Sequence, residues 1–431
     1  MSRVRKAVVG LGWGDEGKGT TIDFLAREFT RPRIGRFSGG AQALHHVHLP
    51  DGTVHGFHQF TAGTFAGCRT ELGPGVVIDP GGMNIEASEL EEKGIRNPAG
   101  LITVDPKCLV TTPWHRKLNQ LTELSRGKDR HGTTGMGVGE AIQDAEKNDC
   151  VLRAKHLAAG NDVDERLMII QKRMIKAAEL LGYRPKENDV RWLSGLYRMW
   201  AEEFRVAPTN WAHNPPDLLE GSQGALIDPD YGFFPYVTKT PVVAEAARDA
   251  TPGTDLDVIG VMRAYSTRHG RGPFVTEDKD FPVSGSENNQ TNDWQEGFRV
   301  GPLDLVAAKY AAAVSGSIRG LAVTCLDRVS YPFNVCTSYL FTADHKAWAN
   351  ILETNFIMES EGRITGIRPL DPTFISSWRT GALKHCVPLL GVKVHNENQL
   401  LDLIEKELDL PVIITSSGPT HKDKEWRLSV K

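Results

Sequence analysis

The sequence lacks most of what a membrane, an oxidising compartment or a nucleic acid would demand of it. No apolar run in its 431 residues reaches the 18 or so that a spanning helix needs. The opening MSRVRKAVVG has no apolar h-region and no cleavage site, so no signal peptide is expected. Six cysteines (Cys68, Cys108, Cys150, Cys325, Cys336, Cys386) are scattered without a C-x-x-C pair. They are expected to be reduced and mostly core thiols, which points to a cytoplasmic protein. Basic residues show no excess: 50 Lys and Arg stand against 54 Asp and Glu, for a net charge of −4. A nucleic-acid partner is therefore not expected, nor a membrane. Internal repeats, low-complexity segments and a clear linker are also missing. What remains is a chain 40% hydrophobic, long enough for a proper core, and one elaborated α/β domain is its simplest organisation.

Short β-branched runs alternate with helical patterns. KAVVGLG, GVVID, LITVD, VIGVMRAY, LAVTCLD and PVIITSSG read as buried strands bounded by Gly, Pro or Asp. DERLMIIQKRMIKAAELLG, VRWLSGLYRMWAEEFRV and NQLLDLIEKELD read as helices between them. Such alternation favours a largely parallel sheet covered by helices.

The stretch VVGLGWGDEGKGTTIDFL, Val8 to Leu25, reads as strand, glycine-rich turn and helix start. Gly12-x-x-x-x-Gly17-Lys18 satisfies most of the phosphate-loop pattern: backbone N–H groups and a helix N-terminus hold phosphate oxygens, with Lys18 as a point charge. Gly19 stands where an ordinary loop places the Ser or Thr that binds Mg²⁺, so the metal ligand must come from elsewhere. Asp15 is the nearest hard oxygen donor. Its carboxylate has two possible tasks here, holding a metal that neutralises phosphate or serving as a base beside the group being phosphorylated. The alternative is a purely structural turn with Asp15 and Glu16 in water.

WGDEGKG resembles the N-terminal loop signature of adenylosuccinate synthetases. GVVIDPGGM resembles the family's G-V-V-x-D-P, HGTTGMGVGEA its G-T-T-G-x-G-I-G-P, and LEGSQGALIDPDYGFFPYVT its E-G-A-Q-G-x-x-L-D-x-x-x-G-x-x-P-x-V-T. VIGVMRAYSTRHGRGPFVTE is similar to V-x-K-A-Y-x-T-R-V-G-x-G-P-F-P-T-E almost throughout. The order is collinear over nearly the full length. The resemblance implies one large α/β domain over 1–431 with a mostly parallel central sheet and a P-loop-like fold, working as a homodimer. Within it the phosphate loop would be 10–20, a helical insertion about 160–210, and an amine-donor loop about 284–302. The implied reaction joins IMP and L-aspartate at the expense of GTP, with Mg²⁺, giving adenylosuccinate, GDP and phosphate. Asp15 falls on the catalytic base and Mg²⁺ ligand, and His45 on the general acid that assists phosphoryl transfer to the purine O6. Gly14, Glu16, Gly17, Lys18, Gly19, Asp327 and Gly418 fall on the NTP site. Gln42, Thr133, Thr134, Gln223 and Thr238 fall on the purine-nucleotide site, and Arg299 on the amine-donor site.

The sequence also departs from the family. G-G-x-N-A-G-H-T becomes GGAQALHH, so Gln42 replaces an Asn, His46 a Thr, and Leu44 a Gly whose backbone carbonyl binds Mg²⁺. The guanine-reading K-x-D becomes CLD: Cys325 replaces the lysine while Asp327 remains to accept guanine N–H groups, and GTP or ATP is the phosphoryl donor. Of the arginines in the segment after G-T-T-G, only Lys147 or Arg153 could stand in. The amine-donor loop reads NNQTNDWQEGFRVGPLD, where Arg299 survives, its partner arginine is gone, and Asp293 and Glu296 add negative charge. Three alternatives stay open: the same chemistry on (d)GMP, another small amino acid as amine donor, and a nucleotide-binding module without turnover. Retention of Asp15 counts against the first, and Asp15, Lys18 and His45 together count against the last.

Overall fold

The computed structural model describes residues 4–187, 189–285, 294–295, 297–372 and 377–427. Contacts divide it into two compact units, each assembled from segments far apart in sequence. One comprises 1–5, 22–221 and 246–255; the other comprises 6–21, 222–245 and 256–431. Because neither unit is a contiguous stretch, no linker could be legible in the sequence.

In the first unit, strands Leu218–Glu220, Arg33–Arg36, Arg69–Leu72, Ile102–Val104 and Arg205–Val206 lie side by side in that order, every neighbouring pair parallel. A hairpin pairs His45–His48 with Val54–Phe57. The run GVVID forms only Val77–Ile78, paired with Leu109–Val110 outside the main order. It is cut short because Asp79 caps the next helix, Pro80–Glu92, accepting a hydrogen bond from Gly82 N at 3.2 Å with Pro80 in the first turn. Helix Pro113–Arg126 starts the same way, on Thr112 and Pro113. Both long helical readings hold, as Val163–Leu180 and Val190–Glu203.

In the second unit the order is Lys424–Trp426, Val412–Ser416, Gly320–Thr324, Leu256–Arg263 and Arg5–Gly10, the last lying in this unit from Lys6 onward. Gly320–Thr324 is parallel to both neighbours, and Lys424–Trp426 is antiparallel to Val412–Ser416. Helix Glu397–Leu408 matches its sequence reading. Two antiparallel pairs, Ser266–His269 with Phe298–Gly301 and Phe333–Val335 with Val392–Val394, and a four-stranded antiparallel sheet between 338 and 389 also belong to the unit. Among the described residues no helix is long and apolar enough to cross a membrane.

Candidate active site

The glycine-rich turn is built around Glu16. Its carboxylate folds back into the loop, accepting Gly14 N–H at 2.7 Å on Oε1 and Lys18 Nζ at 2.6 Å on Oε2, and both Glu16 and Lys18 are 3% exposed. One of the two carboxylates is thus neutralised inside the loop. A Cβ at Gly10 would overlap Glu16 Oε2, which is why the turn needs glycine there. Thr324 Oγ1 donates to the Glu16 carbonyl at 2.6 Å, tying the loop to the next strands.

Asp15 is held differently. It sits at φ 65°, between Gly14 at 101° and Gly17 at 93°, a left-handed conformation that Asp tolerates better than most residues. Its carbonyl accepts Arg263 Nε at 2.6 Å, and Arg263 in turn donates to Tyr265 Oη at 2.9 Å. Its carboxylate has no hydrogen-bond partner among the described residues. Burial pushes that carboxyl above the usual range, against the pull of Arg263, Lys18 and His269. A half-buried, uncommitted carboxyl with a raised pKa suits proton abstraction, and an oxygen left free suits a hard cation. Helix Lys18–Ala26 follows at once, and Thr20 and Thr21 donate back to the Gly17 carbonyl at 3.1 and 3.0 Å.

Other expected residues share this unit. Gln223 sits at φ 49° with its Oε1 accepting Ser222 Oγ at 2.8 Å, and Thr238 N donates to Ile227 O at 2.7 Å. Asp327 is exposed in the short helix after Gly320–Thr324, and Gly418 lies beyond Val412–Ser416. These two strands are parallel neighbours, so both residues belong to one carboxyl-end edge, where α/β sheets bind ligands. Arg299 is engaged: Nη1 donates to Glu277 Oε2 at 2.7 Å and Nη2 to Gly272 O at 3.1 Å. Asp293, Glu296 and residues 286–292 of the amine-donor loop lie outside the described residues.

The first unit holds Gln42, Leu44, His45, Thr133 and Thr134. His45 opens its hairpin strand, and Nδ1 is hydrogen-bonded to Glu220 Oε1 at the end of strand Leu218–Glu220. Glu220 Oε2 accepts Ala62 N–H at 2.9 Å. His45 is 8% exposed and Glu220 0%. Burial raises the Glu220 carboxyl, but His45, Arg36 and the Ala62 N–H outweigh it, and the net shift is downward. An ionised Glu220 fixes the ring so that Nδ1 carries a proton toward it. The sequence reading passed over Glu220, although a carboxylate closing the buried run DLLE needs just such a partner. Leu44 finds room because its Cδ1 lies over Gly56, where a Cβ would come within 2.5 Å of it. Gln42 Oε1 is buried with no partner among the described residues. Thr133 Oγ1 donates to Asn119 Oδ1 at 3.2 Å, and Arg153 is bound to the Lys107 carbonyl at 2.8 Å.

The sequence profile of the family described as adenylosuccinate synthetase matches residues 7–424. The chain belongs to the adenylosuccinate synthetase family. It is 31% identical to the adenylosuccinate synthetase of Neisseria gonorrhoeae (strain ATCC 700825 / FA 1090) over 447 residues, covering 96% of each chain. To that of Halothermothrix orenii it is 32% identical over 445 residues, covering 97% of each. Among solved structures it is similar to the fully ligated adenylosuccinate synthetase of Plasmodium falciparum, with TM-score 0.79, 21% identity and coverage of 98% of this chain and 100% of that one. It is also similar to the succinoaminodeoxyadenylate synthetase of cyanophage S-2L bound to dGMP and dATP, with TM-score 0.58, 18% identity and coverage of 98% and 96%. The fold is accordingly the α/β fold of adenylosuccinate synthetases with its large, mostly parallel sheet. The protein is a C–N bond-forming, NTP-using ligase of purine biosynthesis, from a family that uses GTP and Mg²⁺. The uncommitted carboxylate of Asp15 fits the metal.

Proposed function

We propose that this ligase transfers a phosphoryl group from GTP to the 6-oxo group of IMP and then replaces it with the amine of L-aspartate, giving adenylosuccinate. The reading includes a single catalytic domain that works as a cytoplasmic homodimer. The observation that carries it is Asp15: a carboxyl raised by burial and without a hydrogen-bond partner among the described residues, in a loop whose other carboxylate is already paired with Lys18. Asp15 takes the purine N1 proton, so that negative charge builds on O6 and O6 becomes a nucleophile. His45, oriented by Glu220 through Nδ1, donates a proton toward the oxygen being phosphorylated. Gly14, Gly17, Lys18 and Gly19 hold the NTP phosphates, and Asp327 and Gly418 the NTP base. Gln42, Thr133, Thr134, Gln223 and Thr238 hold the purine nucleotide, and Arg299, already bonded to Glu277 and the Gly272 carbonyl, borders the amine-donor site. Asp15 and the Leu44 carbonyl would hold Mg²⁺, which would supply charge neutralisation at the phosphates.

The test mixes enzyme and Mg²⁺ with IMP, dIMP, GMP or dGMP, with GTP or ATP, and with aspartate, glycine, alanine or serine, following phosphate release and product mass. Adenylosuccinate from IMP, GTP and aspartate is the expected main product. Because Cys325 lacks a lysine's stem and charge, ATP should support a rate within about a hundredfold of GTP, the worth of one or two lost contacts. A 2-amino product from dGMP in place of adenylosuccinate, or no product with any amino acid, would overturn the reading.

A further inference from the structure

The antiparallel pair Ser266–His269 and Phe298–Gly301 places Arg268 opposite Arg299 and His269 opposite Phe298. Side chains alternate along a strand, so the two arginines share one face and His269 and Phe298 the other. The arginine face is filled. The Arg268 guanidinium lies 3.8 Å from the centre of the Trp13 ring and donates to the Arg271 and Pro273 carbonyls, and Arg299 is spent on Glu277 and Gly272.

The other face is different. His269 and Phe298 meet edge to face at 5.9 Å, and the Arg263 guanidinium lies 5.5 Å from the Phe298 ring while holding the Asp15 carbonyl. Arg263 thus joins this face of the ribbon to the Asp15 loop. His269 Nε2 is buried and meets no partner among the described residues. A buried ring nitrogen without a partner is costly unless something bound supplies one. The cross-strand neighbour of His269, Phe298, belongs to the stretch 284–302 that the reading above gives to the amine donor.

We propose that His269 is a specificity-determining residue that contacts substrate, its Nε2 donating a hydrogen bond to a carboxylate oxygen of the amine donor, an α-amino acid. This rests on the ligase reading above. The contact hands to an imidazole part of the task that an arginine would otherwise perform, and Arg299 stays with Glu277. The amine so anchored is delivered beside Asp15, where the purine is activated.

Initial rates of wild type, His269→Val and His269→Gln, with the amino acid and the purine nucleotide varied in turn, test this. Equilibrium dialysis of radiolabelled aspartate and melting curves accompany them. His269→Val should raise the KM for the amino acid about 10- to 100-fold, as expected for losing one hydrogen bond to a charged group, with kcat and the nucleotide KM within about twofold. His269→Gln, which keeps a donor, should recover part of the loss. A rise confined to the nucleotide KM, or no change in the amino-acid KM, overturns the contact and leaves the reaction standing. If wild type binds aspartate without turning it over, the reaction falls, and the dialysis constants of the two variants decide the contact. Failure of wild type to bind any amino acid overturns both.

Discussion

Two neighbouring carboxylates in one phosphate loop do different work, and the difference is made by single contacts. Glu16 is spent on Lys18 and on Gly14 N–H, so it shapes the loop and adds little net charge. Asp15 is left with its carbonyl anchored on Arg263 and its carboxyl raised by burial. Asn adopts the left-handed backbone as readily as Asp, so Asp15→Asn should leave the turn at φ 65° and its Glu16–Lys18 pair intact. It removes the proposed base and the proposed metal ligand together. We expect kcat to fall by about 10²–10⁴-fold with an unchanged melting temperature. Retention of more than about a tenth of the wild-type kcat, in a variant shown by mass to be free of deamidation, would remove Asp15 from the reaction.

At the scale of elements, legibility followed local chemistry. The runs KAVVGLG, VIGVMRAY, LAVTCLD and PVIITSSG are buried strands because apolar residues fill both faces, and each was readable as such. Asp79 and Pro80 announced a helix, and that same signal truncated GVVID to two strand residues. The antiparallel sheet around Ser338–Phe341 was not readable, since its strands are short and mix buried with exposed positions. The glycine-rich turn from Gly12 to Lys18 was legible through motif spacing. Glu220, Arg263 and His269 were not singled out, because their importance lies in partners distant in sequence. Glycines divide similarly. Gly137, at φ 75°, starts the helix Val138–Lys147, and a Cβ there would overlap the backbone nitrogen of Arg116. Gly160, at φ 68°, faces open space. Gly160→Ala should therefore cost about 1 kcal/mol from backbone strain alone, and Gly137→Ala at least about 2 kcal/mol because backbone must also move. Urea midpoints of the two variants measure this, and equal losses would mean that the Arg116 contact relaxes freely.

For the molecule as a whole, charge is nearly balanced at −4, so the pH dependence of stability falls to a few buried groups. His55 and Glu86 act in opposite directions. Burial, with Lys93, His58 and His46 nearby, lowers His55 to about 4 from the ordinary 6.5. Its contribution is present above pH 6.5 and is lost as pH falls toward 4, since the unfolded chain takes up the proton first. Burial raises Glu86 to about 7 from 4.5, against N–H groups of Gln59, His58 and Phe60 and the charge of Arg36. Its contribution is present below pH 4.5 and is lost as pH rises through 7. Between these limits the two slopes oppose, so wild-type stability should change little from these groups. His55 packs edge-on against Phe57 with ring centroids 4.6 Å apart and lies 6.2 Å from Phe65, so a phenyl ring fits its place without titrating. His55→Phe removes one slope and leaves that of Glu86. Relative to wild type, the variant should therefore gain about 2 kcal/mol between pH 7.5 and pH 4.5, from a shift of that size in a buried group. Paired melts at the two pH values read the difference directly, and a gap between the two proteins that stays constant with pH would show that His55 titrates alike in the folded and unfolded chains.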